Sequence, residues 1–217
     1  ESLLYWTEEM HVDGFRFDLA SLFTRNDDGS INLDDPPIIA EISGVAELKK
    51  IRLIAEAWDL STYQLGRSFP GLNWLQWNGK FRDDVRSFVR GDQGMVPALM
   101  TRLYGSDDLF PDHLLDSYHA YQSVNLVTCH DGFSLYDLVA YNSKRNWANG
   151  HRNQDGRDDN YSWNCGWEGD EGVPDAVMAI RTQQVKNLCC LLFLSNGTPM
   201  FCAGDEFMNT QGGNNNP

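Results

Sequence analysis

Basic residues are scarce: 17 Lys and Arg stand against 31 Asp and Glu, a net charge of −14 with a pI near 4.6. Phosphate recognition needs a basic surface that releases counterions, so no nucleic-acid partner is expected. Cysteine is also sparse. Cys129, Cys165, Cys189, Cys190 and Cys202 are odd in number, lack C-x-x-C spacing and fall mostly in apolar runs, which argues against a zinc site and a disulfide framework. They read as buried free thiols of a reducing, cytoplasmic compartment. Long apolar runs are missing too: none approaches the roughly 20 residues of a membrane helix, and no signal-peptide pattern opens the chain. No membrane partner is expected.

Aromatic residues, by contrast, make up 12% of the 217 residues and include seven Trp and eight Tyr. Flat rings beside carboxylates suit a sugar ligand, because rings cover the apolar faces of pyranoses while carboxylates accept hydroxyl hydrogen bonds. The chain is long enough to bury a core. Its opening, ESLLYWTEEM, reads as the tail of an amphipathic helix with neither cap nor initiating Met, and its end, GGNNNP, is loop-like. The expectation is an internal slice of a longer protein.

Strand-like apolar runs fall at 11–19, 51–58, 72–77, 124–129 and 199–203, and helix-compatible segments at 81–89, 96–104 and 176–194. Strands alternating with helices at this spacing predict a parallel α/β fold. Two polar stretches, 26–35 and 142–174, interrupt the pattern, and the second is long enough to suggest a functional loop or lid. No repeat, low-complexity tract or domain boundary stands out.

In DGFRFDLAS, strand alternation puts Gly14, Arg16 and Asp18 on one face and Phe15, Phe17 and Leu19 on the other. An inward Arg and Asp at the C-terminal end of a parallel strand are either a buried salt bridge or part of a site. IRLIAEAWD repeats the pattern, ending in Glu56, Trp58 and Asp59, and VNLVTCHDG ends in His130 and Asp131. Three acidic strand ends of one sheet form a cluster where α/β barrels place their active sites.

Such a cluster suits retaining glycosyl transfer to water, which needs an ionised nucleophile and a protonated acid about 5–5.5 Å apart. Close carboxylates resist joint ionisation, so one is pushed towards the acid form while a cation keeps another charged. Arg16 marks Asp18 as the ionised member, and Glu56, beside Ala57 and Trp58, is the natural acid. Asp131 is left to bind sugar hydroxyls and support positive charge at the anomeric carbon. His130 can donate into the same site only if the strand ends between it and Asp131.

GFRFDLAS, LIAEAWD and VTCHDGF resemble three signature strands of the α-amylase superfamily, in its order. More narrowly, WNGKFRDDVRSF, HDGFSLYDLVAYN, YSWNCGWEG and AGDEFMNTQGGNNN resemble isoamylase and the bacterial glycogen debranching enzymes of the glycogen operon, within glycoside hydrolase family 13. The resemblance implies Asp18 as nucleophile, Arg16 as its supporting arginine, Glu56 as acid/base, Asp131 as transition-state stabiliser and His130 as the histidine beside it. It implies α/β architecture as a partial (β/α)8 barrel, from the helix before strand four to the loop after strand eight. Residues 1–217 are then a fragment of one catalytic domain, lacking the first strands with their Asn-His signature and the C-terminal β-domain. AEAWD is the isoamylase spelling whereas AGDEF and TQGGNNN look like the bacterial enzymes, so the subgroup stays open.

The implied activity is hydrolysis of α-1,6 branches in glycogen, amylopectin or limit dextrin, without a cofactor. Trp58, Trp77 and Asn78 are candidate substrate contacts, Trp77 in a run resembling the family's loop after strand six; Trp58, Trp74 and Trp77 could equally be packing residues. Asp205 and Glu206 could reach the site or merely cap a helix. The acidic loop 153–160 could take Ca2+ but lacks an EF-hand pattern, so no metal site is assigned. Two rivals remain: α-1,4 hydrolysis or transglycosylation by the same carboxylates, against which HDGF and GGNNN speak, and a non-catalytic glucan-binding subunit, against which the three intact carboxylates speak.

Overall fold

The computed structural model describes residues 1–112 and 118–217 of the chain. Its five strands, β1 (Gly14–Phe17), β2 (Arg52–Ala55), β3 (Leu75–Asn78), β4 (Ser123–Leu126) and β5 (Thr198–Met200), follow one another in sequence order across one sheet. β1 pairs parallel with β2, and β2 with β3. The helices are α1 (Ser2–Glu8), α2 (Pro37–Gly44), α3 (Gly79–Arg90), α4 (Val96–Leu103), α5 (Asp137–Ala140) and α6 (Asp175–Leu194). Each predicted strand run overlaps a strand shorter than its apolar length suggested, and β3, β4 and β5 each reach one residue outside the expected bounds. Helix α2 was not read from the sequence, although Pro37 at its first turn is a start signal.

The chain divides into two compact units, one made of Glu1–Asn78 and Gly105–Val124, the other of Gly79–Tyr104 and Asn125–Pro217. In the first, alternation along β1 sends Phe15 and Phe17 towards a core of Ala20, Ile39, Leu53, Ala55, Phe69 and Trp74. The Phe17 and Trp74 rings lie 4.7 Å apart, so Trp74 is a packing residue. Gly14 allows the two strands to meet: a Cβ there would lie 2.4 Å from the Arg52 carbonyl oxygen.

In the second unit, α3 buries Phe81 and Val85, and α6 buries Val185, Leu188 and Leu192. The spacing of four, three and four is one stripe of a 3.6-residue helix. These residues pack with Phe133, Leu135, Leu138 and Val139 from the segment around α5. The polar stretch 142–174 has little regular structure and is held by side-chain hydrogen bonds, many from asparagine. Among the described residues no helix is long and apolar enough to cross a membrane.

Candidate active site

The register of the first unit assembles the carboxyl pair. Arg16 lies opposite Ile54, and Ile54 opposite Leu75. Two residues further along each strand the same row holds Asp18, Glu56 and Trp77 on one face. The ladder continues past the strand ends, since Glu56 N–H donates to the Phe17 carbonyl at 3.0 Å and Ala20 N–H to the Glu56 carbonyl at 2.8 Å. Leu19 stands between them in the left-handed region, at φ 45° and ψ 47°, which turns the chain sharply into a 3-10 helix over Ala20–Thr24. A branched side chain in that conformation is strained, and here the turn sits beside the carboxyl pair.

Arg16 binds both acids. One terminal nitrogen lies 2.8 Å from Asp18 Oδ1, the other donates to Glu56 Oε2, and the guanidinium rests 3.9 Å above the centre of the Trp77 ring. A planar fork on an aromatic face can present two fixed donors in this way, which a lysine cannot. A carboxylate oxygen of Asp18 and one of Glu56 come within 4.8 Å of each other.

The two acids have unlike surroundings. The Asp18 side chain is 63% exposed and that of Glu56 only 3%. Burial pushes the Glu56 carboxyl up to about 7; the neighbouring Asp18 carboxyl adds to the rise, and Arg16 opposes it without cancelling it. A buried acid near neutrality beside an exposed, arginine-paired one can hold a proton while its neighbour offers a lone pair.

The other expected site residues fall as follows. Trp58 is half-buried and stacks on Tyr63, with ring centres 5.7 Å apart and planes 17° apart. Trp77 lies beneath Arg16. Asn78, next in β3, is fully buried, and its amide donates to the hydroxyls of Ser106 at 3.0 Å and Ser123 at 2.8 Å. Asp131 and His130 belong to the second unit, beyond the end of β4. Both are exposed, with His130 Nε2 3.6 Å from Asp131 Oδ1. Asp205 is buried within that unit and clamps their segment from both sides: it accepts from the Thr128 hydroxyl at 2.6 Å and from Leu135 N–H at 3.0 Å.

Sequence reading missed Asp59 as an organising residue, although the run Asp59-Leu60-Ser61-Thr62 carries the signal of an Asp that caps its own turn. Ser61 N–H, Ser61 hydroxyl and Thr62 N–H donate to Asp59 Oδ1 at 2.6, 2.7 and 3.0 Å.

The sheet and its arginine-linked acids define a class, the α/β barrel proteins whose functional groups gather at the C-terminal ends of the strands. In sequence the chain is similar to isoamylases and glycogen-operon proteins, as the motifs led us to expect. It is 48% identical over 217 residues to isoamylase 3, chloroplastic, of Oryza sativa subsp. japonica, covering 100% of this chain and 27% of that protein. It is 46% identical over 222 residues to a glycogen operon protein GlgX homolog of Mycobacterium tuberculosis, covering 100% and 29%. The chain thus spans little more than a quarter of these relatives. No family model matches it.

Among solved structures, the pullulanase from Bacillus acidopullulyticus superposes with a TM-score of 0.60 at 23% identity, over 99% of this chain and 23% of that one. The maltotriose complex of PulA from Klebsiella pneumoniae gives 0.59 at 15% identity, over 99% and 25%. At these identities the likeness is one of fold, and it bears out the expected partial barrel.

Proposed function

We propose that this chain supplies the carboxyl pair of a retaining α-glucan hydrolase that cuts α-1,6 branch linkages. One observation carries the reading: Arg16 joins two acids on adjacent strand ends, an exposed Asp18 and a buried Glu56 raised to about 7. The names of the relatives, isoamylase and glycogen operon protein, favour branched α-glucan as substrate, and one structural neighbour is a complex with maltotriose, a short linear glucan.

In the proposed reaction an Asp18 oxygen attacks the anomeric carbon, the bond from that carbon to the branch oxygen breaks, and the Glu56 proton passes to the departing oxygen. Glu56, now a carboxylate, takes a proton from water. The resulting oxygen attacks the same carbon and frees Asp18, so configuration is retained and one water is consumed. Asp131 is assigned to stabilise the oxocarbenium-like transition state, with His130 beside it. Proton and nucleophile both come from side chains, so this route asks for no cofactor. Five free thiols fit a reducing, cytoplasmic setting.

The test is product analysis of the intact protein on glycogen and on linear amylose. Linear chains released from glycogen, with amylose untouched, are expected. Shortened amylose with branch points intact would point instead to α-1,4 chemistry, and glucan binding without hydrolysis to a non-catalytic subunit. Asp18→Asn should lower hydrolysis by several orders of magnitude while binding survives, because the amide keeps the shape and cannot form the glycosyl ester. Glu56→Gln should be rescued by an aryl glycoside whose leaving group needs no proton. A fully active Asp18→Asn overturns the nucleophile.

A further inference from the structure

We infer that Asp59 is a positioning residue for the carboxyl pair: its two oxygens fasten the loop after β1 to the loop after β2 and so set the distance between Asp18 and Glu56. The inference rests on the roles proposed above for those two acids.

The division of labour between the oxygens is the first observation. Oδ1 serves its own loop, accepting the three donors from Ser61 and Thr62 described above. Oδ2 faces the other loop, accepting from the Ser21 hydroxyl at 2.8 Å and from Arg25 Nη2 at 3.0 Å. The Asp59 side chain is 3% exposed. All five donors are satisfied by one carboxylate, which is how a buried charge is retained without a large penalty.

The second observation is the path from this clamp to the acids. Ser21 lies three residues after Asp18, in the 3-10 helix whose first N–H donates to the Glu56 carbonyl. Asp59 lies three residues after Glu56, and Trp58 N–H donates to that same carbonyl at 2.9 Å. A second strut runs parallel: buried Gln64 donates through its amide to the Thr24 hydroxyl at 2.9 Å, which donates in turn to the Ser21 carbonyl at 2.8 Å. Arg25 also reaches the Ser61 hydroxyl at 2.6 Å and the Gly29 carbonyl at 3.2 Å. Of these contacts only that of Asp59 with Arg25 pairs opposite charges across the two loops. Without its carboxylate, Arg25 would face no counter-charge there, and the strained turn at Leu19 would be free to relax.

Burial opposes ionisation of Asp59, yet the donors from Ser61, Arg25 and Ser21 outweigh it and hold the carboxyl below its ordinary range. The clamp is therefore charged throughout the pH range in which Glu56 titrates.

The test uses the intact protein with Asp59→Ala, and with Arg25→Ala, a milder change at a partly exposed residue that keeps the Asp59 turn. Displacement of a reacting group by about 1 Å costs on the order of 100-fold in rate, so Asp59→Ala should lower kcat by about that factor with KM nearly unchanged. The basic limb of the pH profile should move to lower pH, because a Glu56 further from Asp18 loses part of what raises it. Crystal structures of wild type and variant should show the two carboxyl groups further apart in the variant, a readout independent of any activity. A well-folded Asp59→Ala with unchanged kcat and limb overturns the inference; so does lost activity with limb and separation both unmoved, which would reduce Asp59 to a stabilising residue. Should the wild type hydrolyse no glucan, the proposed function fails, while the crystallographic separation still decides the clamp.

Discussion

Glu56 carries the largest consequence for pH of any single residue. Its carboxyl is raised from 4.5 to about 7, by burial first and the Asp18 carboxyl second. Between those values the folded protein holds a proton that the unfolded chain has lost, so the stability contributed by this group falls as pH rises from about 4.5 through about 7. Glu56→Gln removes the titration. The variant's stability should be flatter than the wild type's across that window, measured by denaturant unfolding at several pH values. Hydrolysis should show the same group from the other side, declining as Glu56 loses its proton near pH 7. A wild-type stability that varies with pH through this window in the same way as that of Glu56→Gln would refute the assignment. The pairing of Arg16 with Asp18 was legible from alternation along DGFRFD, because strand geometry has a period of two. The shared Arg16 contact with Glu56 was not, because it depends on register between strands 38 residues apart, which one sequence does not encode locally.

Among the elements, α6 depends on a residue that its apolar pattern conceals. Arg181 occupies the middle of the helix, fully buried. One terminal nitrogen donates to Asp170 Oδ1 at 3.0 Å and to the Tyr136 hydroxyl at 3.2 Å, and the other to the Gly169 carbonyl at 2.9 Å and to the Trp167 carbonyl. A basic residue in a helix normally reads as the solvated face. Here the surrounding segment 163–170 folds over it and brings carbonyl oxygens to it, a long-range event invisible to helical periodicity. Arg181→Met keeps the volume of the stem and removes the donors. It should destabilise the second unit by about 3 kcal/mol or more, since several buried acceptors lose their partner together. Chemical denaturation monitored by the tryptophans of that segment, Trp163 and Trp167, would measure it; a loss under about 0.5 kcal/mol, the size of an ordinary surface change, would refute the tether.

At the scale of the chain, the order of strands and helices and the acidic strand ends were visible in the sequence, whereas the structure of 142–174 was not. That stretch has no period to read, because its order comes from amides rather than from apolar burial. Three buried asparagines show how. The Asn146 amide donates to Asn215 Oδ1 at 2.8 Å, the Asn215 amide to Asn160 Oδ1 at 3.0 Å and to the Arg157 carbonyl at 2.7 Å, and Asn215 N–H to Asn146 Oδ1 at 3.0 Å. Gly156 closes the fit, since a Cβ there would lie 2.3 Å from Asn215 Oδ1. Asn215 thus locks segments some 60 residues away, using its donor and acceptor ends at once. Asn215→Ala takes from Asn160 Oδ1 its donor and from the Asn146 amide and the Arg157 carbonyl one of two partners, leaving them the Asp155 carbonyl and the Asn160 amide; a buried group left unpaired costs about 1–3 kcal/mol. Asn215→Asp has the same shape but no amide donor, and it brings an acceptor against the Arg157 carbonyl and Asn160 Oδ1. Hydrogen exchange over 146–160 should therefore accelerate in both variants, while exchange in α3 and α6 changes little. If Asn215→Asp left the stretch as protected as the wild type while Asn215→Ala did not, filling of space rather than hydrogen bonding would be what orders it.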